Sequence, residues 1–286
     1  MSKKTLYGQT HTRIVTPKSG VRVGGRTLTS TQRKEIQRLS KLSLGKLRRE
    51  VRVSSGYHWF LKDSKHDAIR IDIANESTKY HKQFSTDTSW VVRRIVARES
   101  SMYHQQLAYD SHNSVRVTVA STSTAYHHIL VHDKHWEVRL VVAEASAAYH
   151  HILVSDEKIL VRCAVAMYSD EYHDQLVTDK AWQVRQVVAK ASTTYHGQLV
   201  NDENWWVREV VANASTKYHK QLVNDETWQV REAVARASTA YHEQLVNDTH
   251  YAVRVAVAEA STMYHHILSH DKNYEVREAV ENYTEE

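Results

Sequence analysis

Apolar side chains recur along the chain at helical spacing, and the pattern restarts every 23 residues from Tyr57 onward. Residues 218–240 show it clearly, because the second half of this segment has two apolar stripes separated by polar positions. The first stripe consists of Val230, Ala233, Val234 and Ala237, and the second consists of Trp228, Arg231 and Ala235. A helix with two stripes that avoid water packs on two sides. The pattern therefore predicts an internal layer in a stack of helices.

A Tyr-His pair marks the same position in each segment. The pair recurs ten times without insertion or deletion, and its tyrosines are Tyr57, Tyr80, Tyr103, Tyr126, Tyr149, Tyr172, Tyr195, Tyr218, Tyr241 and Tyr264. A fixed period of about 20 to 50 residues is typical of stacked repeat proteins, because one unit cannot bury its apolar face alone. The sequence predicts an all-α fold, an α-solenoid of about ten 23-residue two-helix repeats with an N-terminal basic arm.

Short polar side chains mark the predicted helix starts. A serine stands three residues before the tyrosine of every pair, as Ser238 stands before Tyr241, and suits the N-cap of a first helix. An aspartate, Asp225 in the example, is expected to cap the second helix. Leucine follows the tyrosine by four residues in nearly every repeat, so both side chains are expected on one helix face. The histidine of the pair, His219 after Tyr218, is expected at the edge where packing between repeats gives way to surface.

An arginine occupies the same place in the second helix of all ten repeats. A guanidinium at a packed surface needs partners, and the aspartate six residues earlier, in the same or the adjacent repeat, is the candidate acceptor. We predict a structural ladder of such pairs, represented by Asp133, Arg139, Asp156, Arg162, Asp179, Arg185, Asp202, Arg208, Asp225 and Arg231. The tryptophan three residues before the arginine, Trp228 before Arg231, is expected to stack on it.

The segment LVNDETWQVREAVARA, residues 222–237, resembles HEAT-like repeats, whose second helix has the pattern D-x-x-x-x-V-R-x-x-V/A. The short period is similar to that of the leucine-rich repeat variant, an arrangement of short paired helices. The resemblance covers residues 57–286 and implies an α-solenoid used as a binding surface. The chain departs from the variant family in having Ser-Thr where that family usually has proline. Its single cysteine also cannot supply the iron-sulfur module of some members.

Composition adds expectations about location and cofactors. One proline, seven glycines and 41% hydrophobic residues favour helices with few breaks. No stretch matches the roughly 18 apolar residues of a membrane span, and the polar start lacks the apolar core of a signal peptide, so we expect a cytoplasmic location. Cys163 is the single cysteine, which excludes a disulfide within one chain. We expect no cofactor.

Charge separates the start of the chain from the rest. Residues 1–50 contain 13 Lys and Arg against 2 Asp and Glu, net +11, whereas the remainder contains 25 against 31, net −6. We predict a basic, partly flexible arm over residues 1–40, a cap or degenerate repeat over 41–56, and the solenoid over 57–286. Within the arm, a helix is expected from about Thr31. Cations of the arm suit phosphate, a membrane surface or an acidic protein. The arm candidates are Lys3, Lys4, Arg13, Lys18, Arg22, Arg26, Arg33, Lys34 and Arg38.

Repetition argues against catalysis. Ser, His and Asp recur from repeat to repeat, whereas an active site is a unique constellation, and the repeats contain neither a Gly-rich phosphate loop nor a nucleophile elbow. We therefore expect that the protein is not an enzyme. Two histidine pairs at i and i+4 spacing are weak metal candidates, because such a pair can chelate one ion. They are His128 with His132 and His266 with His270.

Departures from the repeat pattern indicate where a partner would bind. Most repeats have charged or amide side chains at the outward positions of the second helix, but a few have apolar ones. These partner-binding candidates are Val117, Leu140, Leu160, Cys163, Met167 and Trp206. An exposed apolar cluster often marks an interface, and the alternative is that these side chains pack under a neighbouring helix.

The sequence thus favours a non-enzymatic macromolecular binding scaffold, with a protein as the expected partner and the basic arm as a second contact. A nucleic-acid-binding solenoid is the main alternative, since the arm suits phosphates, although the acidic remainder disfavours a long phosphate-lined groove. A helix-turn-helix over residues 31–61 is disfavoured because Ser54, Tyr57 and Leu61 are in phase with the repeats. A further alternative is an inhibitor that blocks a partner enzyme by occupying its surface.

Overall fold

A computed structural model describes residues 22–23 and 26–283. The chain divides into two units, residues 1–142 (unit 1) and residues 143–286 (unit 2). In the described part of unit 1 the elements are β1 (Arg22–Val23), β2 (Arg26–Thr27), α1 (Ser30–Leu39), α2 (Leu44–Val53), α3 (His58–Leu61), α4 (Asp67–Glu76), α5 (His81–Phe84), α6 (Trp90–Glu99), α7 (His104–Leu107), α8 (Asn113–Thr122), α9 (His127–Leu130) and α10 (Trp136–Ala145), which ends in unit 2.

Unit 2 repeats the same alternation of a four-residue helix and a longer helix. Its described elements are α11 (His150–Leu153), α12 (Ile159–Tyr168), α13 (His173–Leu176), α14 (Trp182–Ala191), α15 (His196–Leu199), α16 (Trp205–Ala214), α17 (His219–Leu222), α18 (Trp228–Ala237), α19 (His242–Leu245), α20 (Tyr251–Ala260), α21 (His265–Leu268) and α22 (Tyr274–Glu281). The protein is therefore all-helical apart from the two-residue strands β1 and β2 in the part that the structure describes.

The first helix of each repeat starts with a 3-10 turn whose last residue is the tyrosine of the Tyr-His pair. These turns are Ser55–Tyr57, Thr78–Tyr80, Ser101–Tyr103, Thr124–Tyr126, Ala147–Tyr149, Asp170–Tyr172, Thr193–Tyr195, Thr216–Tyr218, Thr239–Tyr241 and Thr262–Tyr264. The preceding serine has an extended backbone, as at Ser238 with φ −159° and ψ 127°, and so ends the long helix before it. The Ser238 hydroxyl also accepts a hydrogen bond from the Ala240 amide at 3.3 Å. One serine therefore ends one helix and starts the next.

The aspartate that we expected as the N-cap of the long helix lies outside it. Helix α18 begins at Trp228, three positions after Asp225, and its N-cap residue is Thr227. Asp225 Oδ1 accepts a hydrogen bond from the Thr227 amide at 2.9 Å. The prediction of an Asp N-cap was wrong, because this carboxylate closes the turn that leads into the helix instead.

The core is a layer of long helices covered by the short ones. Within unit 1 helix α4 packs against α2 and α6, and within unit 2 each long helix from α12 to α22 packs against its neighbours. In the example repeat the buried apolar side chains are Leu222, Val223, Val230, Ala233, Val234 and Ala235. Ala237, the last residue of α18, is exposed, contrary to the predicted stripe. Each repeat thus depends on its neighbours for burial of its apolar side chains.

Helix α2 has the position of a long helix, because Leu44 lies 23 residues before Asp67, the first residue of α4. Its Leu47 and Val51 are buried. Before it, α1 starts one residue from its predicted position and buries Ile36 and Leu39. Part of the predicted arm is therefore packed.

Candidate partner-binding surface

Buried ion pairs join successive repeats. Arg231 Nε donates to Asp248 Oδ2 at 2.6 Å, and Arg231 Nη2 donates to Asp248 Oδ1 at 2.8 Å. Arg231 Nη1 donates to the main-chain carbonyl of Asp225 at 2.7 Å. The sequence left the same repeat and the adjacent repeat open as the source of the acceptor, and the arginine uses both. The two side chains are only 13% and 7% exposed, so water screens the pair weakly.

The same bidentate arrangement recurs along both units. In unit 1 it joins Arg70 to Asp87, Arg93 to Asp110 and Arg116 to Asp133, and in unit 2 it joins Arg162 to Asp179, Arg185 to Asp202, Arg208 to Asp225 and Arg254 to Asp271. Arg139 Nη1 donates to the carbonyl of Asp133 at 2.7 Å. Asp156 Oδ1 accepts from the Lys158 amide at 2.8 Å. These contacts occupy the charged groups of the ladder.

The histidine of the Tyr-His pair is a core residue rather than an edge residue. His219, which the sequence placed at the boundary between packing and surface, is fully buried. Its Nε2 donates to the carbonyl of Ala212 at 2.7 Å, and Ala212 lies in the last turn of α16, where carbonyls have no partner within the helix. Its ring meets the edge of Tyr241 at a centroid distance of 6.2 Å. The pair therefore connects three consecutive repeats.

The partner-binding candidates all lie on one stripe of the long helices. We define the outer stripe as the second, fifth and ninth residues of each long helix. Leu160, Cys163 and Met167 occupy these three places in α12, and the structure brings them together on one face of that helix. Leu160 and Met167 are 55% and 60% exposed, whereas Cys163 is half-buried. Burial raises the pKa of the Cys163 thiol, which favours its uncharged form.

The other candidates are separated from this face. Val117 and Leu140 occupy the middle place of the stripe in α8 and α10 of unit 1, and both are half-buried. Trp206 is exposed on α16, and α14 lies between α12 and α16 in the chain. The face formed by Leu160, Cys163 and Met167, which we call the α12 face, also has Ile159 and Tyr168 exposed at its ends.

Stacked rings are the feature that sequence reasoning missed. Trp228 was expected on Arg231, but it stacks on His250 of the next repeat, with centroids 4.1 Å apart and planes 7° apart. Trp206 stacks on Trp205 at 4.1 Å and lies nearly parallel to Trp182 at 6.1 Å. The ladder arginines extend towards carboxylates, which leaves the indoles to pack on other aromatic rings. The only sequence signal was the second tryptophan, Trp206, beside Trp205.

The arm candidates have different surroundings. Lys3, Lys4, Arg13 and Lys18 lie outside the described residues, and Arg22 and Arg26 belong to β1 and β2. Arg33 and Lys34 are exposed on α1. Arg38 forms ion pairs with Glu35 and with Glu50, at 3.1 Å for the second, so its charge is partly balanced within the fold.

The metal candidates His128, His132, His266 and His270 are all exposed. Over residues 22–23 and 26–283, no group of three or more His, Cys, Asp or Glu side chains is arranged to hold a metal ion. No helix in these ranges is long and apolar enough to cross a bilayer.

The charge is uneven between the units, since unit 1 contains 25 basic and 11 acidic residues, whereas unit 2 contains 13 basic and 22 acidic residues.

Comparison with known proteins places the fold. No family model matches the chain, and no curated protein matches it. The structure is similar to a solved structure described as a leucine-rich repeat variant with a novel repetitive protein structural motif. The TM-score is 0.62 with 25% sequence identity, over 70% of this chain and 88% of that one. This chain is therefore a helical tandem-repeat protein whose fold is similar to that of a leucine-rich repeat variant.

Proposed function

We propose that this protein is a non-enzymatic scaffold in the cytoplasm that binds another protein through the outer stripe of its long helices. The observation that supports the proposal is the α12 face, where Leu160 and Met167 are more than half exposed in a place that neighbouring repeats fill with polar groups. The exposed parts of these apolar side chains do not contribute to stacking. A partner that covers them gains their burial.

The test is capture of partners from a native extract with the full chain, followed by mass spectrometry. The double variant Leu160→Asp with Met167→Asp places two charges on the α12 face. Its matched control is Thr239→Asp with Thr262→Asp, which places the same charges at exposed first residues of two 3-10 turns, a position that Asp170 occupies in another repeat. We expect the first variant to lose a protein that the control and the unaltered chain retain. Equal capture by all three proteins would refute the α12 face as the binding site.

A second candidate function is nucleic-acid binding through the arm, because residues 1–50 have a net charge of +11. Phosphate contacts make binding weaken steeply as salt rises. Labelled DNA and RNA should be titrated at two salt concentrations against the full chain and against a variant with Lys3, Lys4, Arg13 and Lys18 changed to Gln. Salt-dependent binding that the variant loses would support this function, whereas absence of binding to the unaltered chain would exclude it.

The division into an arm over residues 1–40, a cap over 41–56 and the repeats over 57–286 belongs to the same proposal. It is supported by the 23-residue offset between α2 and α4, which gives the cap the position of a repeat helix.

A further inference from the structure

Three indoles form a stacked cluster in unit 2, and we call Trp182, Trp205 and Trp206 the indole cluster. Trp206 is nearly parallel to both of the others, with interplanar angles of 23° to Trp205 and 10° to Trp182. Trp206 is 43% exposed, while Trp182 and Trp205 are half-buried and support it. The cluster therefore presents an aromatic surface to solvent, mainly through Trp206.

Trp206 is not needed by the repeat. The equivalent second position is Gln183 in α14 and Gln229 in α18, and these helices have the same length and pack in the same way. The scaffold tryptophan of the repeat is Trp205, which corresponds to Trp182 and Trp228. Trp206 is thus an added ring on a surface that contributes little to the core.

Two glutamates lie close to Trp206 in the chain, Glu203 before it and Glu209 after it. Glu209 follows Trp206 by three residues on the same helix face, and it is half-buried. Burial, together with the charge of Glu232 on the next long helix, raises the pKa of Glu209, although Lys190 opposes the shift. Glu232 is already paired with Arg236 at 3.1 Å, so the effect of a cation placed beside Glu209 would be to offset the burial of the Glu209 carboxylate.

Glu203 adds negative charge at the start of α16. Its side chain is 84% exposed and lies 3.2 Å from Arg185 Nη2. Arg185 is already held by two hydrogen bonds to Asp202, so the three groups together have a net charge of −1. Negative charge is therefore present both before the start of α16, at Glu203, and on α16 itself, at Glu209.

We infer that the indole cluster with Glu203 and Glu209 binds arginine side chains of a basic polypeptide segment. A guanidinium stacks on an indole face and pairs with a carboxylate at the same time, and tryptophan is the ring that attracts cations most strongly. A nucleic-acid strand could stack its bases on the same rings, but its phosphates would face Glu203 and Glu209, which repel them. The inference rests on the proposed protein-binding function and specifies the chemistry of the partner.

The experiment is a titration of the full chain with an oligo-arginine peptide that has blocked ends, followed by tryptophan fluorescence and calorimetry. The same-length oligo-citrulline peptide is the neutral comparison, because citrulline keeps the shape of arginine without its charge. We expect binding of the arginine peptide to weaken as salt rises and oligo-citrulline to bind at least tenfold more weakly. Equal affinity for the two peptides would overturn the inference.

Three variants locate the site. Trp206→Gln introduces the residue found in the neighbouring repeats and should weaken binding about tenfold, as expected for a cation–π contact. Glu209→Gln should weaken it about threefold. Glu171→Gln, which removes an exposed carboxylate elsewhere in unit 2, should leave affinity unchanged. Far-UV circular dichroism and the thermal midpoint should match the unaltered chain for all three.

Two further sets of results would also overturn the inference. The first is equal binding of the arginine peptide by the Trp206→Gln, Glu209→Gln and Glu171→Gln variants, or no binding by any form of the chain. The second is binding of an oligouridylate that Trp206→Gln abolishes while the arginine peptide does not bind. Either outcome leaves the capture test of the α12 face standing, because that test changes Leu160 and Met167 and does not involve the indole cluster.

Discussion

Removing the charge of one ladder aspartate should destabilise the stack strongly. Asp248 accepts hydrogen bonds from Arg231 Nε at 2.6 Å and Nη2 at 2.8 Å, and from the His250 amide at 2.8 Å. Asp248→Asn keeps one acceptor oxygen for three donors and leaves the Arg231 cation without its counter-ion. Both side chains of the pair are nearly buried. The expected loss of stability is therefore that of a broken buried ion pair, which is larger than the roughly 0–1 kcal/mol typical of a surface pair. We expect a loss of about 3 kcal/mol.

The assay is urea unfolding at neutral pH, followed by the helical circular-dichroism signal. Glu243→Gln is the matched control, because it makes the same change in charge at an exposed position of the neighbouring short helix, α19. This control should change the free energy of unfolding by less than about 0.5 kcal/mol. Hydrogen exchange should show faster opening of α18 and α20 in the Asp248→Asn protein, since each helix of a stack depends on its neighbours.

A double-mutant cycle decides whether the loss belongs to the pair. Asp248→Asn should cost far less in an Arg231→Met background, because the stranded cation is then absent. A loss as small as that of Glu243→Gln would refute the conclusion that the ladder stabilises the stack. So would a loss of the same size in both backgrounds, because the cost would then come from the Asp248 turn alone.

Three further predictions follow from the same contacts. The hydrogen bond from Arg254, opposed by burial, holds the pKa of Asp271 below its ordinary value. The stability that Asp271 supplies is therefore present above about pH 4 and is lost as pH falls through the lower folded pKa, so thermal midpoints from pH 7 to pH 3 should fall less for Asp271→Asn than for the unaltered chain. His219→Leu should cost about 1–3 kcal/mol in urea unfolding, because the Ala212 carbonyl loses its donor, whereas the exposed Lys220→Ala should cost little. Leu222→Ala should cost about 2–5 kcal/mol in the same assay, and a cost below 1 kcal/mol would contradict its place in the core.

The sequence determined the repeat and most of its layer. A 23-residue period without insertions specifies that every unit makes the same contacts with the next, and the helical spacing of Val230, Ala233 and Val234 specifies which face is buried. Serine at a fixed distance before tyrosine located the start of each first helix correctly, because capping depends on residues within one turn. In six of the ten repeats its hydroxyl accepts the amide hydrogen bond expected of an N-cap, and in the other four it does not. These predictions needed only local geometry and the requirement to bury apolar area.

The partner-binding residues were only partly predictable. Apolar departures from the pattern identified Leu160 and Met167, which are exposed, but they also selected Val117 and Leu140, which are half-buried. A pattern of residue types gives the face of a helix, but the exposure of that face depends on how closely the next helix approaches. The stacking within the indole cluster could not be predicted for the same reason, since Trp182 and Trp206 are 24 positions apart in the chain.

Tertiary structure alone decided the choice among distant partners. Arg231 could have paired within its own repeat, and stacking placed the Asp248 carboxylate 17 residues ahead within reach of its guanidinium. His219 looked like an edge residue on a helical wheel, yet the end of α16 lies against it and its imidazole satisfies a carbonyl there. The 23-residue period specifies that all repeats make the same kind of contacts. Which atoms meet depends on the distance between neighbouring helices, and that distance is set only when the helices pack.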